Sequence, residues 1–216
     1  MTTIRQDDFI DSVADALQFI SYYHPLDFVQ AVHKAWEREL NPAAKDAMAQ
    51  ILINSRMCAQ GHRPICQDTG IVTVFLKIGM NVQWNATMSV ADMVNEGVRR
   101  AYTHPDNVLR ASILEDPAGA RRNTRDNTPA VIHMEVVEGD TVDVQVAAKG
   151  GGSENKSKMV MLNPSDSIVD WVVKTVPTMG AGWCPPGMLG IGIGGPAAKA
   201  AVLAKESLLD PIEIHE

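Results

Sequence analysis

A nine-residue run of strand-forming side chains, Ile71–Gly79, constrains the fold of this chain more than any other feature. β-branched, aromatic or aliphatic residues fill all of it except Lys77 and the closing glycine. Such a run is typical of a strand that is buried within a sheet. We therefore expect a buried strand here, and the fold class depends on the elements that surround it.

Three helical patterns precede this strand, at residues 6–23, 26–40 and 43–60. In the first of them, apolar residues recur at the spacing of one helix face. Prolines separate the three patterns, and Gly61 stands at the expected C-terminal position of the third. The N-terminal part of the chain is therefore predicted to be helical.

The chain after the strand alternates between helical and strand-like patterns. We expect a helix at residues 89–102, an irregular polar segment at 104–128, and a β-hairpin formed by 129–137 and 141–148. A long irregular segment within a domain is more often functional than idle. Two further helices are expected near residues 165–176 and 196–209.

These patterns predict a mixed α/β (α+β) fold, in which N-terminal helices are followed by mixed β-sheets flanked by helices. We expect a single domain over residues 1–216, helical over about 1–61 and sheet-containing over about 62–216. The length of 216 residues, with 45% hydrophobic and 21% charged residues, suits a globular domain with a sizeable core.

Charge, hydropathy and cysteine count argue against several classes of function. A net charge of −7 disfavours a nucleic-acid partner. No apolar run approaches the ~18 residues of a membrane span, and the N-terminus lacks the basic-then-apolar pattern of a secretory signal. Three cysteines are too few for a disulfide scaffold of this size. We expect a cytoplasmic protein whose thiols are free for metal binding or catalysis.

The segment just before the predicted strand carries the strongest chemical signal. Residues 66–70 read Cys-Gln-Asp-Thr-Gly and place a thiol, an amide and a carboxylate at consecutive positions. A thiolate binds soft metals, a carboxylate transfers protons and an amide orients polar ligands. Asp and Gly are also ordinary turn residues, so these residues alone are explained equally well by a surface turn.

Two glycine-rich loops lie further along the chain. Residues 149–157 read Lys-Gly-Gly-Gly-Ser-Glu-Asn-Lys-Ser, and their backbone N–H groups and flanking lysines favour an anion site over a flexible connector. Residues 182–187 read Gly-Trp-Cys-Pro-Pro-Gly, where rigid prolines favour Cys184 as a metal ligand over a buried thiol. Cys58, by contrast, lies within a helical pattern beside apolar residues and is expected to be structural.

A rival motif lies near the end of the chain. Residues 190–195 read Gly-Ile-Gly-Ile-Gly-Gly and match the G-x-G-x-x-G pattern of dinucleotide sites. The preceding strand would be very short, and the ribose-binding acid expected ~20 residues later would fall at Asp210 or beyond. The alternative is that these glycines let the closing helix pack tightly against the sheet. A dinucleotide-binding oxidoreductase is therefore a second hypothesis.

Taken in order, the motifs at residues 66–70, 149–156 and 182–187 resemble those of the class I fumarate hydratases. The iron–sulfur tartrate dehydratase α subunits are similar at the same places. The resemblance implies a hydro-lyase of the tricarboxylic acid cycle that reversibly hydrates fumarate to L-malate. It also implies a [4Fe–4S] cluster that is held by three cysteines, with an open iron as Lewis acid. Cys66 and Cys184 are then two of the three ligands.

The resemblance further implies which groups serve a small dicarboxylate substrate. Asp68 is the expected catalytic residue for proton transfer, and Gln67 and Asp68 both contact the substrate. Arg110 matches an arginine of the family pattern and could bind a carboxylate in bidentate fashion, the alternative being a solvated loop arginine. Gly150 and Gly151 are expected to lend backbone N–H groups to the same anion.

The third cysteine of the family pattern lies downstream of Cys184, where this chain has no cysteine. We therefore expect an N-terminal part of a longer enzyme, inactive alone, that needs a C-terminal domain or a β subunit and forms a homodimer. Tartrate is the alternative substrate, although residues 54–58 look more like the single-chain fumarases. A non-catalytic folded module that binds no cluster is the remaining alternative.

Overall fold

The computed structural model describes residues 2–212 of the chain. These residues form two compact units, one of residues up to Lys149 together with Ile212, the other of Gly150–Pro211. The helical part expected at residues 1–61 and the sheet that follows it lie in the first unit. The single domain expected over the whole chain stays a prediction. Between residues 2 and 212, no helix has the length and apolar character needed to cross a bilayer.

Both helices and strands occur along the described residues. The strands are β1 Thr3–Arg5, β2 Ile71–Gly79, β3 Gln83–Asn85, β4 Leu114–Glu115, β5 Arg122–Asn123, β6 Val131–Val137 and β7 Val142–Lys149. The α-helices are α1 Gln6–Tyr22, α2 Leu26–Arg38, α3 Pro42–Gly61, α4 Val90–Tyr102, α5 Gly151–Glu154, α6 Ile168–Thr175 and α7 Ala197–Glu206. Short 3₁₀ turns follow α6 and α7, at Val176–Met179 and Ser207–Leu209. The predicted mixed α/β fold is thereby confirmed.

Polar caps explain where two of these helices begin. The Asn41 side chain accepts hydrogen bonds from the N–H groups of Ala43 and Ala44 at the start of α3, at 3.0 and 3.3 Å. The Ser89 hydroxyl accepts one from the N–H group of Asp92 at the start of α4. At the other end of α3 the left-handed residue is His62, with a φ of 47°, one position after the predicted Gly61.

β2 is the central strand of a three-stranded sheet whose order is β6-β2-β7. β6 is parallel to β2 and β7 is antiparallel to it, so that Thr73 faces Val131 on one side and Ala147 on the other. The predicted hairpin between residues 129–137 and 141–148 is therefore wrong. The two segments are joined by a short turn, but β2 lies between them and takes the hydrogen bonds that a hairpin would form.

The core of the first unit lies between this sheet and helices α1 and α4. One face of β2 contributes Val72, Val74 and Leu76, each at most 1% exposed. They form one cluster with the apolar faces of the two helices, which supply Phe9, Ile10, Val13, Leu17, Met93, Val94, Val98, Ala101 and Tyr102. Because neighbouring strands cover both edges of β2 and helices cover this face, an almost wholly apolar strand is stable there. The predicted buried strand is confirmed.

An irregular segment links α4 to β6 and holds only the two-residue strands β4 and β5. Four of its non-glycine residues adopt a left-handed backbone, with φ between 46° and 67°: Asp116, Arg121, Arg125 and Asn127. Asn and Asp tolerate this conformation better than most residues. The long irregular segment expected at residues 104–128 is thus present.

The second unit contains α5, α6 and α7 joined by irregular segments, and none of its residues from Gly150 to Pro211 is buried. Large apolar side chains are exposed along it, among them Met159, Met161, Val169, Val173, Met188, Ile191 and Ile193. The first unit, in contrast, has a continuous apolar core. The described part of the second unit therefore lacks a core of its own.

Candidate functional site

Helix α3 fixes the segment that leads into residues 66–70. The side-chain amide of Asn54 donates a hydrogen bond to the carbonyl oxygen of Ile65 at 3.0 Å, and the Ile65 N–H group donates to the carbonyl of Ser21. The Cys58 thiol, 6% exposed, lies 3.6 Å from the carbonyl oxygen of Pro64. Cys58 thus packs inside the fold and supports the loop, which agrees with the structural role expected from its helical pattern.

The thiol of Cys66 is exposed at the surface of the first unit. The Asp68 N–H group points to its sulfur at 3.4 Å, and the Gln67 side-chain oxygen also lies 3.4 Å from that sulfur. The loop therefore holds the side chain of Gln67 and the backbone of Asp68 beside the Cys66 thiol.

The two residues after Asp68 are held from inside the fold. The buried Tyr102 hydroxyl donates to the carbonyl oxygen of Thr69 at 2.7 Å, and the Asn127 side-chain amide donates to that of Gly70 at 3.0 Å. Gly70 has a φ of 87°, and a methyl group there would lie 2.6 Å from the Ala148 carbonyl carbon. Only glycine fits this position, as expected for a turn. The turn and the candidate chemical site, which the sequence offered as alternatives, therefore share the same residues.

Burial raises the pKa of Tyr102 from its ordinary 10.0 to about 12, and the charge of Asp68 acts in the same direction. Hydrogen bonds with Thr69 and Asn127 oppose this shift without cancelling it. Tyr102 is therefore a neutral hydrogen-bond donor throughout the physiological range.

Arg110 lies on a backbone segment tied to this loop. The Thr69 hydroxyl donates to the Arg110 carbonyl oxygen at 2.6 Å. Leu109, 4% exposed, anchors the segment in the core, and Asn107 exchanges hydrogen bonds with Gln18 of α1. The guanidinium of Arg110 is left exposed at the surface. The first unit thus brings the segments of Cys66, Gln67, Asp68 and Arg110 together.

Ion pairs hold the end of the irregular segment on α4. Arg99 pairs with Glu96 and, at 3.0 Å, with Asp126. Partial burial of Asp126 would raise its pKa, but hydrogen bonds from the N–H and hydroxyl groups of Thr128 and from Arg99 outweigh burial and lower the pKa. Asp126 is therefore ionised near neutral pH, and its contacts fix the backbone next to Asn127.

The second unit brings the other two predicted motifs together. Gly150 precedes the one-turn helix α5, so the glycine-rich segment is helical over Gly151–Glu154 rather than an open loop. A methyl group on Gly152 would lie 2.9 Å from the Gly182 carbonyl oxygen, and one on Gly182 would lie 2.8 Å from the Lys156 side chain. The glycines thus allow a close approach between the segments that carry Gly150, Gly151 and Cys184.

Cys184 is exposed and adopts a left-handed backbone with a φ of 59°. Its N–H group donates to the Ala181 carbonyl at 3.0 Å and closes a tight turn. The Trp183 ring lies so close to Gly187 that a methyl group there would come within 2.5 Å of it. The turn therefore presents the Cys184 thiol to solvent, as expected for a ligand and unlike the buried Cys58.

Comparison with known proteins assigns the chain to a family. It matches the family described as fumarate hydratase (Fumerase) over residues 10–216. The chain belongs to the class I fumarate hydratase family. It is 34% identical over 209 residues to a protein assigned as the L(+)-tartrate dehydratase subunit alpha of Methanocaldococcus jannaschii, which covers 94% of this chain and 72% of that protein. It is 27% identical over 203 residues to the L(+)-tartrate dehydratase subunit alpha of Escherichia coli, covering 93% and 66%, respectively.

Membership of this hydro-lyase family agrees with the resemblance seen in the three motifs. The chain spans 72% of the Methanocaldococcus jannaschii protein and about two thirds of the Escherichia coli one. Both relatives are named as alpha subunits of a dehydratase.

The cysteines of this class I fumarase-family chain differ in their fitness to hold an iron–sulfur cluster. Cys66 and Cys184 have exposed thiols at turns, as a cluster ligand requires, whereas the Cys58 thiol is buried among Asn54 and Pro64. Within residues 2–212, no three His, Cys, Asp or Glu side chains gather into a group able to hold a metal ion. By exposure, Cys66 and Cys184 suit the role of a cluster ligand and Cys58 does not.

The glycines at residues 190–195 have a packing role in this fumarase-family chain. A methyl group on Gly190 or Gly192 would lie 2.0 Å from a carbonyl oxygen of α7, that of Ala204 or Ala200, respectively. Among the described residues, the element directly before the motif is the 3₁₀ turn Val176–Met179, whereas a dinucleotide site requires a strand there. Gly190 and Gly192 therefore pack against the closing helix α7. The alternative to a dinucleotide site that the sequence offered was that these glycines let this helix pack against the sheet.

Three residues that hold the candidate site were missed by sequence reasoning: Thr69, Tyr102 and Asn127. Tyr102 resembles any apolar residue at the end of a helical stripe, and Asn127 resembles any polar loop residue. Thr69 lies within a motif that was recognised, but its hydroxyl partner is 41 positions away in sequence. No local pattern signals such distant contacts.

Proposed function

We propose that this chain forms the cluster-binding part of a hydro-lyase that interconverts fumarate and L-malate. The observation that carries the proposal is the hydrogen bond from Thr69 to the Arg110 carbonyl, which joins the two backbone segments at 2.6 Å. An exposed thiol, a carboxylate and a guanidinium therefore lie on adjoining segments. Dehydration of a 2-hydroxy dicarboxylate needs groups of these kinds, to hold a metal, move a proton and bind an anion.

Each of these side chains has a separate role in the proposal. Arg110 binds one substrate carboxylate through its planar fork of donors, which matches the two carboxylate oxygens. Gln67 donates a hydrogen bond that orients the substrate. Hydroxide is a poor leaving group, so Asp68 transfers the proton with which the hydroxyl departs as water. Gly150 and Gly151 offer backbone N–H groups to the same anion.

Cys66 and Cys184 would hold the [4Fe–4S] cluster on this chain, together with a third thiolate from other polypeptide. When bound, the cluster supplies an open iron that acts as a Lewis acid on the substrate. The chain's own contribution is to keep the Cys66 sulfur beside the N–H group of Asp68, at 3.4 Å. This contact ties the ligand and the proton-transfer residue to one loop.

The proposed enzyme requires a partner, either a β subunit or a C-terminal domain. Two observations support this part of the proposal: the relatives are named alpha subunits, and the described part of the second unit buries none of its residues. The partner would supply the third cluster ligand and the base that removes the proton from carbon. We also propose that the enzyme is a cytoplasmic homodimer.

L(+)-tartrate is the second candidate substrate. The names of the relatives favour it, since both are described as tartrate dehydratase subunits. Tartrate differs from malate by one hydroxyl group, and a site that binds a hydroxyl by hydrogen bonds discriminates strongly against the analogue that lacks it. Only a direct comparison of the substrates separates the two candidates.

The proposal is tested by anaerobic reconstitution with iron and sulfide, followed by assays of malate, fumarate and tartrate with the partner polypeptide present. We expect a broad absorbance band near 400 nm for the cluster and turnover of one of the substrates. Cys66→Ala should abolish both, and Asp68→Asn should lower kcat by at least ~100-fold with the absorbance kept. Cys58→Ala is the matched control, because its thiol is buried in packing. Normal turnover of Cys66→Ala would overturn the proposal.

A further inference from the structure

Two loops that carry the proposed catalytic groups are connected by hydrogen bonds between residues that lie far apart in sequence. Residues 66–70 hold Asp68, and residues 110–112 follow 40 positions later with Arg110 at their start. Three side chains hold these loops: Thr69 bonds to Arg110, Asn127 bonds to both loops, and Tyr102 bonds to Thr69. None of the three is a group that the proposed reaction itself requires.

Asn127 is the most constrained member of this set. It is 0% exposed, and its φ of 62° places it in the left-handed region. Its side-chain nitrogen donates to the Gly70 carbonyl oxygen at 3.0 Å, and its side-chain oxygen accepts from the Ser112 N–H group at 2.8 Å. Burying an amide is costly unless both of its ends are bonded. Asn127 therefore binds the loop of Gly70 through its side-chain nitrogen and the loop of Ser112 through its side-chain oxygen.

Thr69 and Tyr102 complete the connection at the same place. The Tyr102 hydroxyl, on a residue that is 1% exposed, donates to the Thr69 carbonyl oxygen at 2.7 Å. The Thr69 hydroxyl in turn donates to the Arg110 carbonyl oxygen. Helix α4, through Tyr102, thus supports the loop of Thr69, and Thr69 in turn bonds to the loop of Arg110.

We propose that Thr69, Tyr102 and Asn127 are positioning residues that fix the separation between the Asp68 carboxylate and the Arg110 guanidinium on a bound dicarboxylate. We call these three residues and their hydrogen bonds the clamp. Its effect on catalysis rests on the proposed function, whereas the clamp itself is a structural feature of the first unit. A shift of about 1 Å in a positioned group reduces catalysis by about 100-fold. Loosening the clamp is therefore expected to lower kcat through Asp68 and to raise KM through Arg110.

Thr69→Val tests the clamp with almost unchanged side-chain volume, because only the hydroxyl donor is lost. In the reconstituted enzyme with its partner, we expect kcat/KM to fall by about 10- to 100-fold, with changes in both kcat and KM. Thr69→Ser keeps the donor and should restore most of the loss. Thr103→Val is the matched control, since the Thr103 hydroxyl donates in the same way to the Arg99 carbonyl but lies outside the clamp. It should stay within about twofold of the wild type.

A second measurement does not depend on the reaction. The Ser112 N–H group is bonded to the Asn127 side-chain oxygen, so its hydrogen exchange, followed by NMR on the chain, reports the clamp directly. Asn127→Ala should accelerate this exchange by at least about tenfold. Asn127→Asp keeps an acceptor for Ser112 and tolerates the left-handed backbone, so Ser112 should stay protected while the bond to Gly70 is lost.

The outcomes separate the clamp from the proposed function. Faster Ser112 exchange in Asn127→Ala, with loss of kcat/KM in Thr69→Val and rescue in Thr69→Ser, supports the inference. Unchanged exchange in Asn127→Ala overturns it whatever the activity. A loss in Thr69→Val that Thr69→Ser fails to restore, or that Thr103→Val matches, also overturns it. If the wild type turns over no dicarboxylate but the exchange result holds, the proposed function fails and the clamp remains as a structural feature.

Discussion

Tyr102 joins the apolar core of the first unit to the loop of the candidate site. Its ring is buried among the side chains of α1 and β2, and its hydroxyl donates to the Thr69 carbonyl oxygen. Ionising this phenol would leave a buried charge beside a carbonyl oxygen and near the Asp68 carboxylate. Burial therefore raises its pKa to about 12, and the folded state keeps the proton to higher pH than the unfolded chain does.

This difference predicts an alkaline weakening of the fold that depends on Tyr102. Below the unfolded pKa of 10.0 both states hold the proton, so the full stabilisation is present. As pH rises from there through about 12, the unfolded state loses its proton first and stability falls, by up to about 3 kcal/mol. In Tyr102→Phe this part of the pH dependence should be absent, although the lost hydrogen bond costs about 1–2 kcal/mol at neutral pH.

Urea unfolding of the wild type and of Tyr102→Phe at pH 7, 10 and 11 measures this difference. Ionisation of lysines and of the other tyrosines affects both proteins, so the comparison isolates Tyr102. The two free energies of unfolding should converge as the pH rises above 10. Parallel curves for the two proteins would contradict a raised pKa.

Individual residues differ in how far the sequence revealed them. Cys66 and Cys184 stand out because a thiol beside turn residues is exposed, and the structure has both thiols at the surface. Cys58 was recognised as structural because its helical neighbours are apolar. Tyr102 and Asn127 could not be recognised, since their importance lies in contacts with residues 33 and 57 positions away, respectively.

The elements of the first unit were predictable where their signals are local. Helical periodicity gave α1, α2, α3 and α4, and an apolar run gave β2. The pairing of β6 and β7 was not predictable, because a four-residue connection usually joins hairpin partners. Here both strands pair with β2 instead, which buries residues 72–76 of the apolar strand. The free energy gained by burying β2 between the two strands thus outweighs the local preference of β6 and β7 to pair with each other.

The glycine-rich segment at residues 190–195 is an element whose pattern fits two functions. Gly192 contacts the backbone of α7, whereas Gly194 has open space around its Cα atom and a φ of 89°. A packing role makes Gly192 sensitive to any added side chain. At Gly194 an added methyl group meets only the strain of the left-handed backbone.

Gly192→Ala should therefore destabilise the protein by about 3 kcal/mol or more, because the α7 backbone cannot yield as a flexible side chain would. Gly194→Ala, the matched control, should cost about 1–2 kcal/mol. Thermal unfolding of the full chain measures both. A titration with NAD(P) should show no tight binding to the wild type. Tight NAD(P) binding that Gly192→Ala removes would instead support the dinucleotide hypothesis.

At the scale of the whole molecule, the second unit differs from the first in what it leaves exposed. Met159 and Met161 are 64% and 79% exposed on a segment outside helices and strands, and no residue of the unit is buried. Exposed apolar side chains in this number mark an interaction surface more often than a free one. Since the relatives are named alpha subunits, the proposed occupant is the partner polypeptide of the hydro-lyase.

Replacing Met159 and Met161 together by glutamate tests this occupant. Both side chains are exposed in the chain alone, so its free energy of unfolding should change by about 0.5 kcal/mol or less per site. Charges buried in an interface without a partner are costly, so co-purification with the partner polypeptide and cluster-dependent turnover should both be lost. Met80→Glu is the matched control, because Met80 is 72% exposed in the first unit. It should leave association intact, since the proposed surface lies on the second unit alone. If the double variant associates as tightly as the wild type does, the partner does not cover Met159 and Met161.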